Sequence, residues 1–511
     1  MSQVTIEQAM QLAQRHLYAG ELGKAAAIYG QILSVQPTHP DALHLLGVIA
    51  GQSGHGDEGA NLIRRAIAAA PDNPHFHCNL GLCLQNQGQL EQAIACFGQA
   101  LVLKPDFVDA HNNLGVALAS KGQFDQAIAC HERALALNPD FAEAYYNLGV
   151  ALADQGQYDR AMVCYEKALS LQPDLSSAHW NRGLLLLKQG KYEEGWTEFE
   201  RRWRVGGFMC NPKTGQQWLD AGILLGRRDE LAQKYATHPR WHGTALDGQR
   251  ILIQSEQGFG DSLQFVRFFP RVAQLGGKIL AVVPAELLEL FKGQNIPGVE
   301  HWLGPNDPAP TFDFHCPMMS LANIFKITSG NIPAEIPYLR ADPARSALWK
   351  SRLPEGGLKV GLAWAGKMVP DPRRSMKLQD LETMLGIPDI TWVSLQKGNA
   401  ASQAKHPPLG MQLNDWTDEL MDFADTAALI DNLDLVISID TAVAHLAGAM
   451  GKPVWLMLSF VADWRWLLDR ADSPWYPTMR LFRQPTAGNW SAVTADLAVT
   501  LRSRVGERHG A

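Results

Sequence analysis

Two short segments carry residue types that could do chemistry. In SEQGFGD, the β-like run ILIQS leads into Gly258, Gly260 and Asp261 just ahead of a helix-like stretch. Glycines at the carboxyl end of a strand let a ligand or a second backbone come close. The bland alternative is a structural turn with Asp261 as the N-cap of the helix. The run lacks the third glycine of a dinucleotide fingerprint. In LDLVISIDTAVAHLAGAMGKPVWLML, Asp440, Thr441 and Ala442 stand where a strand turns into a helix, and Gly451 closes that helix. Free N–H groups and the positive end of the helix dipole make such a junction an anion site, most simply for a diphosphate. His445 follows Thr441 by four residues and shares its face, as a ligand contact or as a core histidine.

Other residues offer softer signals. Gln396 and Lys397 follow the strand-like TWVSL at its carboxyl end, the edge where open α/β sheets bind ligands. There Lys397 could reach a base, ribose or phosphate, or sit in solvent. The run DWRWLLDRADSPWYP places Arg465, Trp464, Trp466 and Trp475 after PVWLML, where the rings could wall a ligand or pack in the core. No Asp-x-Asp occurs anywhere in the chain, and Cys78 and Cys83 have no matching pair to complete a zinc set. No metal and no cofactor is expected.

The elements that must position these residues fall into two series. From about residue 3 to 205 the text repeats every 34 residues: Gly47, Gly81, Gly115, Gly149 and Gly183 form one column, and Pro37, Pro71, Pro105, Pro139 and Pro173 another. A small residue follows each glycine by twelve, at Ala93, Ala127, Ala161 and Gly195, and a ring often comes four later, as in Phe97, Tyr165 and Phe199. Cys96, Cys130 and Cys164 keep the same interval, which marks core positions rather than a disulfide framework. The pattern resembles the tetratricopeptide repeat, a helical hairpin that buries its face by stacking on its neighbours; about six units are expected. Asn79, Asn113, Asn147 and Asn181 form a further column. The resemblance places them toward an inner groove, like the ladder in protein O-GlcNAc transferases. There a primary amide could pair with the main chain of a peptide, hydrate a polar face, or bond the adjacent repeat.

From 206 to 245 the repeat is absent, and the segment, with a helix-like LDAGILLGRRDELAQKY, reads as a linker or docking segment. Beyond it short β-rich runs alternate with amphipathic helices, the rhythm of parallel βαβ units. Two α/β halves are expected, 246–345 and 346–511, with a cleft between them and a final helix, NWSAVTADLAVTLRSRV, that could cross back to the first half.

The segment from about 250 to 500 resembles glycosyltransferase family 9, the heptosyltransferase group, through GFGD after its first strand and DTAVAHLAGAMGKP near its end. Repeats followed by such a region are similar to bacterial tetratricopeptide proteins with a family 9-like domain. The resemblance implies a two-domain GT-B fold and inverting transfer of a sugar from a nucleotide donor. It implies Asp261 as the general base, Asp440, Thr441 and His445 in the donor loop, and Lys377, Arg373 and Arg374 as an approximate donor-phosphate motif. The family's usual glycine after Asp-Ser/Thr is Ala442 here. The expected reaction is metal-independent transfer to a protein or peptide acceptor recruited by the repeats. A non-catalytic scaffold with a degenerate transferase region, and a transferase acting on glycan or lipid-linked acceptors, are the alternatives.

Composition narrows the partners. The net charge of −7 lacks the positive excess that a phosphate backbone calls for, so nucleic acid is not expected. No apolar run reaches the ~20 residues of a membrane span, and the opening MSQVTIEQAM has neither a basic nor an apolar leader region. A cytoplasmic location is the expectation.

Overall fold

A computed structural model of the chain describes residues 5–204, 238–304, 307–308, 310–367 and 372–509. Two compact units divide between Asn181 and Arg182, inside the helix Ser176–Lys188. Most of the segment 206–245, including LDAGILLGRRDELAQKY, lies outside the described residues.

The first unit is an array of antiparallel helical hairpins, beginning with Ile6–Tyr18 and Leu22–Val35. Two glycine columns build it. Gly20, Gly54, Gly88, Gly122 and Gly156 turn the chain between paired helices at φ of 74° to 89°, a left-handed conformation that glycine adopts without steric cost. The column of Gly47, Gly81, Gly115 and Gly149 sets the helix separation: a methyl group on Gly81, Gly115 or Gly149 would stand 2.6 Å from the ring of Phe97, His131 or Tyr165. Each ring therefore fills the space its glycine leaves.

His131 is the polar exception in that ring column. It is 1% exposed, and burial pushes its imidazole down to about 4 from the ordinary 6.5. Its Nδ1 shares a 3.0 Å hydrogen bond with Asn112 Oδ1, which also accepts from Asn147 Nδ2 at 3.1 Å. His131 is neutral in the folded repeats, whereas the unfolded chain takes up a proton below pH 6.5. Its stability contribution is therefore present above about pH 6.5 and is lost as pH falls toward 4, to a total of roughly 3 kcal/mol. Thermal unfolding at pH 7 and pH 4.5 checks this: His131→Phe, which restores the ring of the column, should shrink the acid-induced drop in melting temperature. An unchanged drop would show that His131 does not carry it.

The second unit holds two parallel sheets among the described residues. The first takes β1 (Arg250–Gln254), β2 (Lys278–Val282), β3 (Val299–Leu303) and β4 (Phe314–Pro317) in the order β3-β2-β1-β4. The second takes β5 (Leu358–Ala363), β6 (Ile390–Ser394), β7 (Leu413–Asn414), β8 (Leu435–Ile439), β9 (Val454–Leu458) and β10 (Met479–Arg483) in the order β10-β9-β8-β5-β6-β7. The central β8 and β9 are buried on both faces and read LVISI and VWLML, the near-continuous apolar runs of a covered parallel sheet. Strand order reverses between β1 and β4 and between β5 and β8. Open α/β sheets bind ligands at the carboxyl ends of the strands flanking such reversals.

One expectation needs correction. The terminal helix Trp490–His509 does not cross to the first sheet. Val493, Leu497, Leu501 and Val505 pack in the core of the second, with Leu378, Leu381 and Met384. Of the segment 206–245, the described end docks on the first sheet: Trp241 is fully buried, and its backbone N–H donates to His315 O, in β4, at 2.9 Å.

The helix Tyr192–Phe199, which the repeat pattern counts as part of the last hairpin, belongs to this second unit. Trp196 is buried there, donating to Ile327 O at 3.0 Å and meeting the rings of Phe265 and Trp464 edge-on at 6.3 and 5.1 Å. It thus touches the helix after β1 and the turn after β9.

Candidate functional site

β1 ends in a buried turn, Ser255 and Glu256, after which the helix Phe259–Phe265 begins. Asp261 is the third residue of that helix, so it is not the N-cap that the bare sequence allows. Gly258 is the cap residue, and its N–H donates back to Asp261 Oδ2 at 2.6 Å. A carboxylate at this place offsets an orphan N–H and suits the helix dipole. Gly260 marks a close approach: a methyl group here would stand 2.6 Å from His445 Cδ2. The helices after β1 and after β8 therefore meet.

β8 delivers Asp440 to the reversal point of the second sheet, and the helix Ala442–Ala449 follows. Thr441 is its N-cap but gives no side-chain cap; its hydroxyl lies 3.1 Å from Ser438 Oγ. The half-buried start of the helix, Thr441, Ala442 and Val443, thus presents N–H groups that no cap side chain takes. Arg374 lies over the loop after β5. A methyl group on Gly366 would stand 2.9 Å from its Nε, and its charge works to lower the carboxyl of Asp440.

A buried Arg465, in the turn after β9, ties the helix after β1 to the second sheet. Its Nη2 donates to Asp261 Oδ1, its Nη1 to Asp463 Oδ1 at 2.8 Å and its Nε to Gln264 Oε1. Its guanidinium also lies 4.3 Å from the ring of Trp464. Burial works against this charge, but Asp463 and Asp261 raise its pKa further above its ordinary value. Burial raises the Asp261 carboxyl, with Arg465 and the Gly258 N–H opposing it. Burial also pushes Asp440 up to about 6, with the charge of Asp463 adding to it and the Trp466 N–H, donating at 2.8 Å, working against it.

His445 is a core histidine of the site rather than an open ligand. It is 5% exposed, shares a 2.9 Å hydrogen bond with Tyr476 OH, and lies 3.8 Å from Asp440 Oδ1, too far for a hydrogen bond. Burial first, then the charges of Arg465, Arg267 and Arg374, hold it well below its ordinary value and so neutral. Arg267 locks the surroundings by donating to Trp475 O and Tyr338 OH, both at 2.8 Å.

The titration of Asp440 makes a test. Its carboxylate stands beside the helix start and repels an anion above about pH 6; protonated, it does not. Sulfate, which keeps its charge between pH 5.5 and 7.5, should bind severalfold more tightly at the lower pH, and Asp440→Asn should remove the dependence. Equal affinities at both pH values in the parent chain would contradict this.

Other candidates take different parts. Gln396 is buried and its amide is committed: Oε1 accepts from the N–H groups of Trp364 and Ala365, and Nε2 donates to Ala365 O and Lys397 O. It therefore clamps the β5 and β6 loops together. Lys397 Nζ donates to Thr417 O and Leu420 O, which ties down a neighbouring turn. Lys377 is exposed at the start of the turn Leu378–Met384, and Arg373 is exposed beside Arg374. Trp464, Trp466 and Trp475 are buried core rings.

In the repeats, the asparagine ladder bonds the preceding hairpin at each rung. The Nδ2 atoms of Asn79, Asn113, Asn147 and Asn181 meet His44 Nε2, Cys78 Sγ, Asn112 Oδ1 and Tyr146 OH. Among the described residues no three His, Cys, Asp or Glu side chains converge as a metal site. A cavity of about 320 Å³ lined by Arg250, Lys278 and Asp313 lies at the amino ends of β1 and β2, the opposite edge from these loops.

Arg465, Asp463, Glu256 and Gln264 carry much of the site; of these the sequence points only to Arg465, as a member of the tryptophan-rich run, and gives none of its bonds. The one legible hint was an arginine among tryptophans after a buried strand.

Comparison with known proteins places two kinds of segment. Tetratricopeptide repeat profiles match residues 10–74, 62–95, 86–122, 117–156 and 142–175, so the N-terminal region carries these repeats. The profile described as glycosyltransferase family 9 (heptosyltransferase) matches 420–455, which spans β8 and the helix after it. Protein FlbA of Caulobacter vibrioides is 29% identical over 294 residues, 52% of this chain; the chain spans about half, 48%, of that relative's length. Among solved structures, YrrB, a TPR protein with an unusual peptide-binding site, is 23% identical with a TM-score of 0.31, covering 36% of this chain and 94% of its own. TTC0263, a thermophilic TPR protein of Thermus thermophilus, is 24% identical with a TM-score of 0.32, covering 36% and 100%. No helix among the described residues is long and apolar enough to cross a membrane.

Proposed function

We propose that this chain is an inverting, metal-independent glycosyltransferase of GT-B type that moves a sugar from a nucleotide-sugar to a protein or peptide acceptor recruited by its repeats. One observation carries the reading. The Asp261 carboxylate at the carboxyl edge of the first sheet is bonded to the buried Arg465 after β9, whose neighbour Trp466 donates to Asp440 beside the uncapped helix start at the reversal point of the second. The matched family 9 segment coincides with that helix start.

In this reading the donor diphosphate lies against the N–H groups of Thr441, Ala442 and Val443, with Arg374 facing it. Cleavage of the sugar–phosphate bond gathers negative charge on the departing diphosphate. Fixed dipoles and cations stabilise that charge best in a site shielded from water. Asp261 receives the proton of the acceptor hydroxyl as the sugar carbon is attacked from the opposite face, so a single displacement inverts the anomeric centre. Arg374 and Arg465 supply the positive charge that a metal ion would otherwise bring. Neutral His445, pinned by Tyr476, keeps a further charge out of the site.

The scaffold alternative draws on Ala442 in place of the family's glycine, and on the engagement of both Asp261 oxygens, one by Arg465 and one by Gly258 N–H. The test is to incubate the full chain with radiolabelled UDP-glucose, GDP-mannose and ADP-glucose in a bacterial lysate and follow the label. Label in protein supports the proposal. Label only in the lipid fraction overturns the protein acceptor, and no transfer at all favours the scaffold.

A further inference from the structure

We infer that Arg202, delivered by the chain just after the last repeat hairpin, is a positioning residue for the loop 255–261; this rests on the reading that Asp261 serves sugar transfer. The first sheet reverses its strand order between β1 and β4, and the crevice beyond their carboxyl ends is where such sheets take ligands. Arg202 fills that crevice, bonded to Glu256 after β1 and to Ser320 after β4.

Every donor of this guanidinium is placed. Nε and Nη2 donate to the two oxygens of Glu256, each at 2.9 Å, in the two-pronged pairing that fixes both partners. Nη2 also donates to Ser320 Oγ at 2.8 Å, and Nη1 to Glu200 Oε1 at 2.7 Å and Phe199 O at 3.3 Å. These five bonds match the five N–H groups of an arginine, and the side chain is fully buried. Glu256 Oε1 accepts in addition the N–H of Met319 at 2.9 Å, which ties the β1 loop to the β4 loop.

The anchored loop has something to hold. Gln257, next to Glu256, adopts φ of 61°, a left-handed conformation that a non-glycine residue keeps only where its surroundings enforce it. Glu256 pins one side of that residue. The Gly258 N–H bond to Asp261 pins the other. Arg202 therefore fixes where the helix Phe259–Phe265 begins and so where Asp261 points. It is a positioning residue, since it touches no reacting group itself. The short turn Glu200–Arg204, within the second unit, thus completes the carboxyl edge of the first sheet.

The experiment uses the full chain. Arg202→Met alone leaves Glu256 buried without its partner and can fail to fold, so Arg202→Met/Glu256→Gln is the main variant and Arg202→Lys the conservative one. Two quantities are read: hydrogen exchange of the amides in 255–262 without ligand, and release of nucleoside diphosphate from whichever of UDP-glucose, GDP-mannose and ADP-glucose the parent turns over. Exchange in 255–262 should quicken by about tenfold or more in the double variant while the strands β5, β8 and β9 keep their protection. The kcat should fall by about 10–100-fold at nearly constant donor KM. Arg202→Lys, which keeps the charge without the two-pronged fit, should lie between. Unchanged exchange in the folded double variant overturns the inference. Faster exchange with unchanged turnover would leave Arg202 as the anchor of the loop and count against the catalytic reading of Asp261 instead.

Discussion

Asp261→Asn is expected to lower sugar transfer by roughly 10²–10⁴-fold, the range that general-base catalysis supplies, while nucleoside diphosphate affinity stays within about twofold of the parent. An amide cannot take the acceptor proton. Its oxygen can still accept from Arg465 Nη2, so the link to the second sheet persists. The bond from Gly258 N–H is the one an amide nitrogen cannot receive, which costs about 0.5–1.5 kcal/mol of local stability. Transfer rate and nucleotide affinity measured on the same preparation separate these effects. Unchanged transfer would make Asp261 a helix-capping carboxylate and nothing more.

Arg465→Met should carry the largest cost in stability. Arg465 is buried and its three bonding groups reach Asp261, Asp463 and Gln264, and without it Asp261 loses its counter-charge in a buried place. Breaking one side of such a pair typically costs about 3–5 kcal/mol. A pH signature should accompany the loss in whatever folded protein remains. The Asp261 carboxyl is already raised by burial and by the charges of Asp463 and Glu256, with Arg465 and the Gly258 N–H holding it down. Removal of Arg465 raises it further, so the acid limb of kcat/KM should move to higher pH. A melting temperature and a pH profile equal to those of the parent would show that the pair is incidental.

The repeats were legible because their glycine and ring columns are a local code: Gly81, Gly115 and Gly149 each face a ring sixteen residues later, and the spacing survives in the text. The βαβ rhythm was legible for a similar reason, since β8 and β9 are short apolar runs bounded by turns. Asp261 and Asp440 could be singled out because each stands at a strand-to-helix junction. Arg465 is legible only as a neighbour of tryptophans and Arg202 not at all, because their roles lie in bonds to residues 204 and 54 positions away, and no local pattern records such pairings. Gln396 and Lys397 show the converse. Both stand at the expected edge of the sheet, but the open carbonyls and N–H groups of neighbouring loops claim their polar atoms first. The asparagine ladder likewise meets the adjacent hairpin at every rung, the pairing that the sequence held open beside peptide capture.

The central claim is that the loops after β1 and β8 form one nucleotide site that works without a divalent metal. Calorimetric titration of the full chain with ADP, GDP and UDP in excess EDTA tests it most directly, with Ala442→Trp, which should obstruct the start of the helix, as the control. The account predicts that at least one nucleotide binds in EDTA, stabilises the fold by ~2.7 kcal/mol at about 100 times its dissociation constant, and loses affinity in the control. Binding that appears only with Mg²⁺, or no binding by any of the three, would contradict it.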